Sequence, residues 1–223
     1  MREIVLDTET TGLSPADGHR VVEIACLELF NRVPTGERFQ RYINPERGMP
    51  EEAFKIHGLS DEFLAQHPVF ADMADEFLEY IADSPLVIHN AEFDLRFINA
   101  ELQRLERPLL EAGRVTDTVA LARRRFPGAQ ASLDALCRRF EIDNSARTLH
   151  GALLDCELLA EVYLELCGGR QPGFDLASRA AAAKDATIAE RPVRPPRPHA
   201  PTADERSAHD AFIDGMSSPI WRR

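Results

Sequence analysis

At 223 residues, the chain has room for one domain with an appendage or for two small ones, at roughly 100–200 residues per domain. A formal net charge of −11 argues against an extended grip on duplex nucleic acid, which needs a basic stripe, but leaves room for a site that holds a few nucleotides through metal ions. No apolar run reaches the ~18 residues of a membrane span, and Met-Arg-Glu leads straight into a strand with no signal peptide. Cys26, Cys137, Cys156 and Cys167 form no CxxC pair or zinc spacing, so a cytoplasmic protein with free buried thiols is expected.

In chain order, residues 2–7 read as a strand, RVVEIACLEL (20–29) as a second, and RFQRYIN (38–44) as a third after a turn around VPTG. The short links predict three consecutive antiparallel strands. From Pro50 the period becomes helical, in PEEAFKIHG and then in FADMADEFLEYIAD, where Phe70, Met73, Ala74, Phe77, Leu78 and Ile81 share a face. LVIHN (86–90) suits a buried strand, EFDLRFINAELQRL a helix, RVTDT a short strand, and VALARRRF a helix stopped by PG. SLDALCRRF starts with a serine cap, and GALLDCELLAEVYLELC is a long amphipathic helix ended by Gly168-Gly169. The order β-β-β-α-β-α-β-α-α predicts an α/β domain, a mixed sheet with helices on its faces, over residues 1–169. Beyond it, ERPVRPPRPHAP marks residues 170–206 as an extended linker. Residues 207–223 leave Phe212, Ile213 and Trp221 in a polar, disordered background, where large apolar side chains wait for a partner.

The first strand ends in IVLDTETTG. Side chains alternate along a strand, so Asp7 and Glu9 share a face and Thr8 points away. Burying a carboxylate costs several kcal/mol and a like-charged neighbour adds to it, so such a pair needs solvent, basic partners or metal ions. Solvent alone explains two acids at a strand end. VIHNAEFD, however, places Asp94 early in the helix after a buried strand, and HGALLD places Asp155 in the first turns of the long helix. Strand ends and helix starts converge at one edge of such a sheet, so Asp7, Glu9, Asp94 and Asp155 can surround one cleft. Oxygen ligands without sulfur suit Mg²⁺ or Mn²⁺, and two such ions roughly 3.5–4 Å apart serve in-line attack on phosphate esters. His150 is expected on the loop before Gly151, folded back over these acids, where an imidazole can take a proton from water.

Asp-x-Glu, a distant Asp and His-x-x-x-x-Asp together resemble the DEDDh group of 3′→5′ exonucleases, which share an RNase H-like fold. Within that group the chain is similar to the proofreading subunits of bacterial replicative DNA polymerases. IVLDTETTG, EAFKIHGLSDEF, VIHNAEFD, VTDTVALAR, SLDALCRRFEIDNS and RTLHGALLDCELLAEVYL match in order, over residues 3 to about 169. The resemblance implies that Asp7, Glu9, Asp94 and Asp155 bind two Mg²⁺ or Mn²⁺ ions and that His150 is the general base. It further implies that Glu52 and His57, with Asp7, Glu9 and Asp155, contact the terminal nucleotide of a single-stranded 3′ end. Glu52 also reads as a first-turn acid favoured by the helix dipole, and His57 as a helix cap. His89 and Asn90 suit backbone hydrogen bonds, Phe93 core packing, Asp117 a helix cap, and Arg123, Arg124 and Arg125 a solvated face. The resemblance implies a polymerase partner for the tail, and RQPGFDL resembles short clamp-docking peptides through Gln171, Phe174 and Leu176. An exonuclease acting on RNA ends, or a tethering subunit whose acids are relics, are the competing readings.

Overall fold

A computed structural model describes residues 1–145, 147, 149–169 and 200–220. Five strands form one sheet in the order β3-β2-β1-β4-β5: β1 (Arg2–Thr10), β2 (Val21–Phe30), β3 (Val33–Tyr42), β4 (Leu86–Ile88) and β5 (Val115–Asp117). The first three are antiparallel, whereas β4 and β5 run parallel to β1. The sheet is therefore mixed, as the sequence predicts. The turn between β2 and β3 is not at VPTG. It lies at Asn31 and Arg32, both left-handed (φ 52° and 67°), a two-residue geometry that matches strand twist. Pro34 and Gly36 belong to β3, which therefore runs 33–42 rather than 38–44. Its place at the sheet edge is what tolerates a proline.

Three helices separate β3 from β4: α1 (Glu51–His57), α2 (Asp61–Leu64, capped by Ser60) and α3 (Phe70–Ile81). Then come α4 (Ala91–Arg104), α5 (Thr118–Arg125), α6 (Leu133–Phe140) and α7 (Ala152–Leu166). Alternation along β1 divides the core into two layers. Ile4 and Leu6 face α3 and α4, packing with Phe77, Phe97 and Ile98. Val5 faces the other way, with Leu136, Leu159 and Val162 of α6 and α7. Each such side chain contributes about 1.5–3 kcal/mol by leaving water, so α7 is held face-down on β1 and β2. The parity of β1 thus sends Asp7 and Glu9 toward α7, and Thr8 toward α4.

The predicted buried thiols are found: Cys26, Cys137 and Cys156 are buried and Cys167 is half-buried, all unpaired. None of the described helices is long and apolar enough to cross a membrane. A separate unit carries α8 (Ala203–Asp214), where the composition predicts no element. Thr202 accepts a bond from the Glu205 amide at 3.2 Å and the Glu205 carboxylate accepts one from the Thr202 amide at 2.8 Å, a reciprocal capping box. Phe212 on this helix is exposed. The expected clamp peptide at Gln171, Phe174 and Leu176, the proline-rich linker sequence and Trp221 lie outside the described residues.

One glycine ties α1 to the segment that precedes α7. Gly58 ends α1 in the left-handed region (φ 73°), and a Cβ there would lie 2.8 Å from Leu149 Cδ1. The Leu149 side chain can swing aside, so the backbone conformation dominates the cost. Gly58→Ala is expected to lower stability by about 1–2 kcal/mol, read from the urea midpoint; an unchanged midpoint would show that α1 ends equally well without the left-handed residue.

Candidate active site

The carboxyl ends of β1, β4 and β5 meet the starts of α4 and α7, the edge at which open α/β sheets carry their sites. A cleft of about 470 Å³ opens there, lined by Asp7, Glu9, Asp94, Asp155 and His150 among others. All four predicted acids and the predicted histidine are thus brought together. Asp7 and Glu9 come from β1, while Asp94 and Asp155 lie in the first turns of α4 and α7. His150 sits on the loop, as expected. Its amide donates to Ile56 O at 3.0 Å, and its ring, 47% exposed, has Nδ1 3.6 Å from Asp155 Oδ2.

The electrostatics are those of crowded, desolvated acids. Burial pushes the Glu9 carboxyl up to about 8, helped by the charges of Asp155, Glu23 and Asp94. Burial likewise raises Asp94 to about 7, against the stabilising hydrogen bond that Thr8 Oγ1 donates to Asp94 Oδ1 at 2.7 Å. Asp7 is driven well above the usual range by burial, then by Asp94 and Glu9. Asp155 goes the other way. Burial raises it, but the Arg147 guanidinium, with help from His150, more than offsets this and holds it below the usual range. Carboxylates in this condition fit hard divalent cations, which would satisfy them together. Ligand atoms of Glu9, His150 and Asp155 lie within 4.8 Å of one another, close enough to share one ion.

Glu52 and His57 do not line this cleft. They line an adjoining one of about 490 Å³, which shares Thr8, Glu9, Leu13 and Phe93 with it. Glu52 is an exposed acid in the first turn of α1. His57 accepts the Leu59 amide at Nδ1, 3.1 Å, so its proton is on Nε2. That Nε2 is buried, and among the described residues it has no well-formed hydrogen bond; burial holds the ring's pKa below its ordinary value, against a weak backbone bond to Thr10. His57 itself lines the adjoining pocket. His89 Nδ1 pairs with Thr118 Oγ1 at 2.8 Å, and the ring also has a backbone partner at Ala131, as the sequence suggests. Phe93 packs against the core, its ring 5.0 Å from that of Phe97. Asp117 caps α5 through the Val119 amide at 2.8 Å. Arg123 and Arg124 are solvated, but Arg125 donates to the last carbonyls of α7, Glu165 O and Leu166 O.

Three functional neighbours escape the sequence reasoning. Thr8 is one: it points away from Asp7 and Glu9, as predicted, and in doing so holds Asp94. Glu23 on β2 is a further buried carboxylate beside the cluster, opposite Glu9 in the ladder. It accepts the Ala152 amide at 3.2 Å and Gln40 Nε2 at 2.7 Å, pinning the start of α7 to the sheet. Arg147 is the third. It forms a fork on Asp155, at 2.5 Å from Nε and 2.6 Å from Nη2. The RTLH motif contains it, but spacing alone does not reveal its partner.

Comparisons with known proteins agree with this geometry. A family model described as Exonuclease matches residues 4–163. The nuclease domain of 3′hExo, a DEDDh family member bound to rAMP, shares the fold at a TM-score of 0.65 and 15% identity, over 74% of this chain and 91% of that one. Exonuclease X in complex with 5′ overhanging duplex DNA matches at a TM-score of 0.58 and 27% identity, over 74% and 90%. The chain therefore belongs to the exonuclease family, with the DEDDh arrangement on an RNase H-like sheet, and its catalysis is metal-dependent. Within it, the relatives that run nearly end to end are polymerase subunits. DNA polymerase III subunit epsilon of Rickettsia felis is 50% identical over 97% of this chain and 97% of its own, and that of Escherichia coli K12 is 44% identical over 99% and 97%. The chain belongs to the family of DNA polymerase III epsilon subunits.

The raised carboxyls have a consequence for stability. In the folded chain they hold protons that the unfolded chain has already released. Stability from their neutral forms is complete below the ordinary carboxylate range and is lost as pH rises through about 7 for Asp94 and about 8 for Glu9. His57 and His89, whose pKa values burial lowers, are already neutral in that window. In EDTA the Tm is expected to fall from about pH 6.5 to 8.5, with Glu9→Gln flattening the fall and Mg²⁺ abolishing it. A Tm that holds level in EDTA would mean that these acids titrate normally.

Proposed function

We propose that this chain is the proofreading subunit of a bacterial replicative DNA polymerase, removing mispaired nucleotides from a 3′ end by phosphodiester hydrolysis and releasing nucleoside monophosphates. The observation that carries this is the convergence of Asp7, Glu9, Asp94 and Asp155 with His150 on one cleft beside a second, nucleotide-sized pocket. Reading the acids as ligands of two Mg²⁺ or Mn²⁺ ions is supported by their raised or arginine-compensated charges. Cations bound there supply Lewis acidity toward the phosphodiester and its attacking water. The chain's own groups do the rest. His150, half-exposed at the cleft mouth, takes the proton from the attacking water. His57 and Glu52 line the pocket that takes the terminal nucleotide.

The exonuclease reading on RNA ends is weaker. The RNA-associated neighbours share the fold at about 15% identity, whereas relatives that include the carboxyl-terminal segment are named as polymerase subunits. By that relationship, residues 170–206 act as a linker and residues 207–223 bind the polymerase subunit, in the bacterial cytoplasm. The peptide at Gln171, Phe174 and Leu176 docks on the sliding clamp. Tethering holds the acidic domain at high effective concentration near the primer end, which offsets a weak grip on DNA.

On labelled single strands, DNA should be degraded from its 3′ end far faster than RNA. Alanine at Asp7, Glu9, Asp94 or Asp155 should abolish hydrolysis without unfolding the domain, whereas His150→Ala should lose roughly 10²–10⁴-fold while still binding metal. Near-normal activity in any two of the acid variants would sink the metal assignment. Deleting residues 207–223 should abolish co-purification with the polymerase subunit yet spare activity on short single strands; tight polymerase binding by the truncated chain would remove the tail from the interface.

A further inference from the structure

Of the described residues lining the acidic cleft, Arg147 is the one arginine or lysine. It is 8% exposed on its side chain, although it sits on a loop. Every arm of its guanidinium is engaged. Nε and Nη2 donate to the two oxygens of Asp155 at 2.5 and 2.6 Å. Nη2 also lies 2.9 Å from His150 Nδ1, and Nη1 donates to Asp134 Oδ1 at 2.9 Å. Asp134 is steadied in turn by Asn144 Nδ2 at 3.1 Å. A bidentate arginine–carboxylate pair is among the stronger and more directional contacts available to a side chain.

Two blocks follow from this one arrangement. Both Asp155 oxygens already accept from Arg147, so a cation approaching from the Glu9 side must share a carboxylate whose charge a guanidinium already compensates and whose orientation it fixes. His150 Nδ1 faces an obligate donor, since a guanidinium cannot accept a hydrogen bond. The neutral ring must therefore carry its proton on Nε2 and have its lone pair tied up at Nδ1. Such a ring cannot take a proton from water until Arg147 lets go.

Resting on the metal-site reading above, we infer that Arg147 is a latch: anchored by Asp134, it occupies Asp155 and His150 in the metal-free protein and must release them together when a cation enters. It is a positioning residue that acts through those two groups, and it makes loading of the metal and freeing of the base one event. It also supplies positive charge to a cluster of five acids, counting Glu23, that would otherwise repel one another while no cation is present.

Mn²⁺ titration calorimetry on the full chain at one pH tests the competition. Arg147→Gln should bind Mn²⁺ about tenfold more tightly, a coupling of ordinary size between competing ligands. Arg147→Lys keeps the charge but loses the fork and should fall between the two. Mn²⁺ binding by Arg147→Gln that is unchanged or weaker overturns the latch. So does a lysine variant indistinguishable from the unaltered chain, since the effect would then be one of charge alone. A second readout needs no substitution. Imidazole ¹⁵N spectra of the metal-free chain should show His150 protonated at Nε2 and hydrogen-bonded at Nδ1, with the Nδ1 signature disappearing on addition of Mg²⁺. Persistence of that signature with Mg²⁺ bound would make Arg147 a fixed structural partner. Asp155→Asn separates the two levels of failure. If it binds Mn²⁺ like the unaltered chain, the metal site itself is misassigned; if it is impaired while Arg147→Gln gains nothing, the latch alone is wrong.

Discussion

The mutual repulsion of desolvated carboxylates at the end of β1 is the constraint to which the surrounding structure answers. Each nearby element either adds an acid or compensates one. The hydroxyl of Thr8 holds Asp94, the fork of Arg147 neutralises Asp155, and the start of α7 donates to Glu23. Among the described residues Asp7 and Glu9 accept no such side-chain bond, Glu9 gaining only the more distant charge of Arg147, and their charged forms are strongly disfavoured, like that of Asp94. A fold that keeps such a cluster carries a standing electrostatic penalty in the absence of cations. That penalty is the thermodynamic source of its affinity for them, since metal binding relieves repulsion as well as forming bonds.

The scaffold around the cluster is correspondingly rigid. β1 is central in the sheet and covered on both faces, so neither Asp7 nor Glu9 can withdraw from its neighbours by local fraying. α4 is braced by a partly buried pair in which Arg20 donates to both oxygens of Glu101 at 2.6 and 2.8 Å. That bond links the loop after β1 to the helix that carries Asp94. Gly12, at the end of the acidic run, gives way to the His19 ring, which leaves no room for a Cβ. Stability is thus concentrated where the acids must be held against their own repulsion.

Much of this was legible in the sequence, because the relevant signals are local. Alternation in IVLDTETTG gives the shared face of Asp7 and Glu9, and helix starts give Asp94 and Asp155. Gly151 marks His150 as a loop residue. What stayed hidden depends on partners far away in the chain. Glu23 looks like one more residue of a strand until α7 is placed on it, and Arg147 looks like any loop cation until Asp134 and Asp155 flank it. The β2–β3 turn was misplaced for a different reason. Pro34 and Gly36 carry the usual turn signals, whereas Asn31-Arg32 adopts left-handed geometry without a glycine. The cap of α8 was there to be read: Thr202 and Glu205 stand three apart, the spacing of a reciprocal cap.

The backbone bond from the His150 amide to Ile56 O has a consequence of its own. Ile56 belongs to α1, the helix that carries Glu52 and His57 along the wall of the neighbouring pocket. The loop that carries His150 and the helix that carries Glu52 and His57 are therefore joined through main chain, a link that side-chain substitution does not remove. A displacement of α1 would reach the loop of His150 through that hydrogen bond.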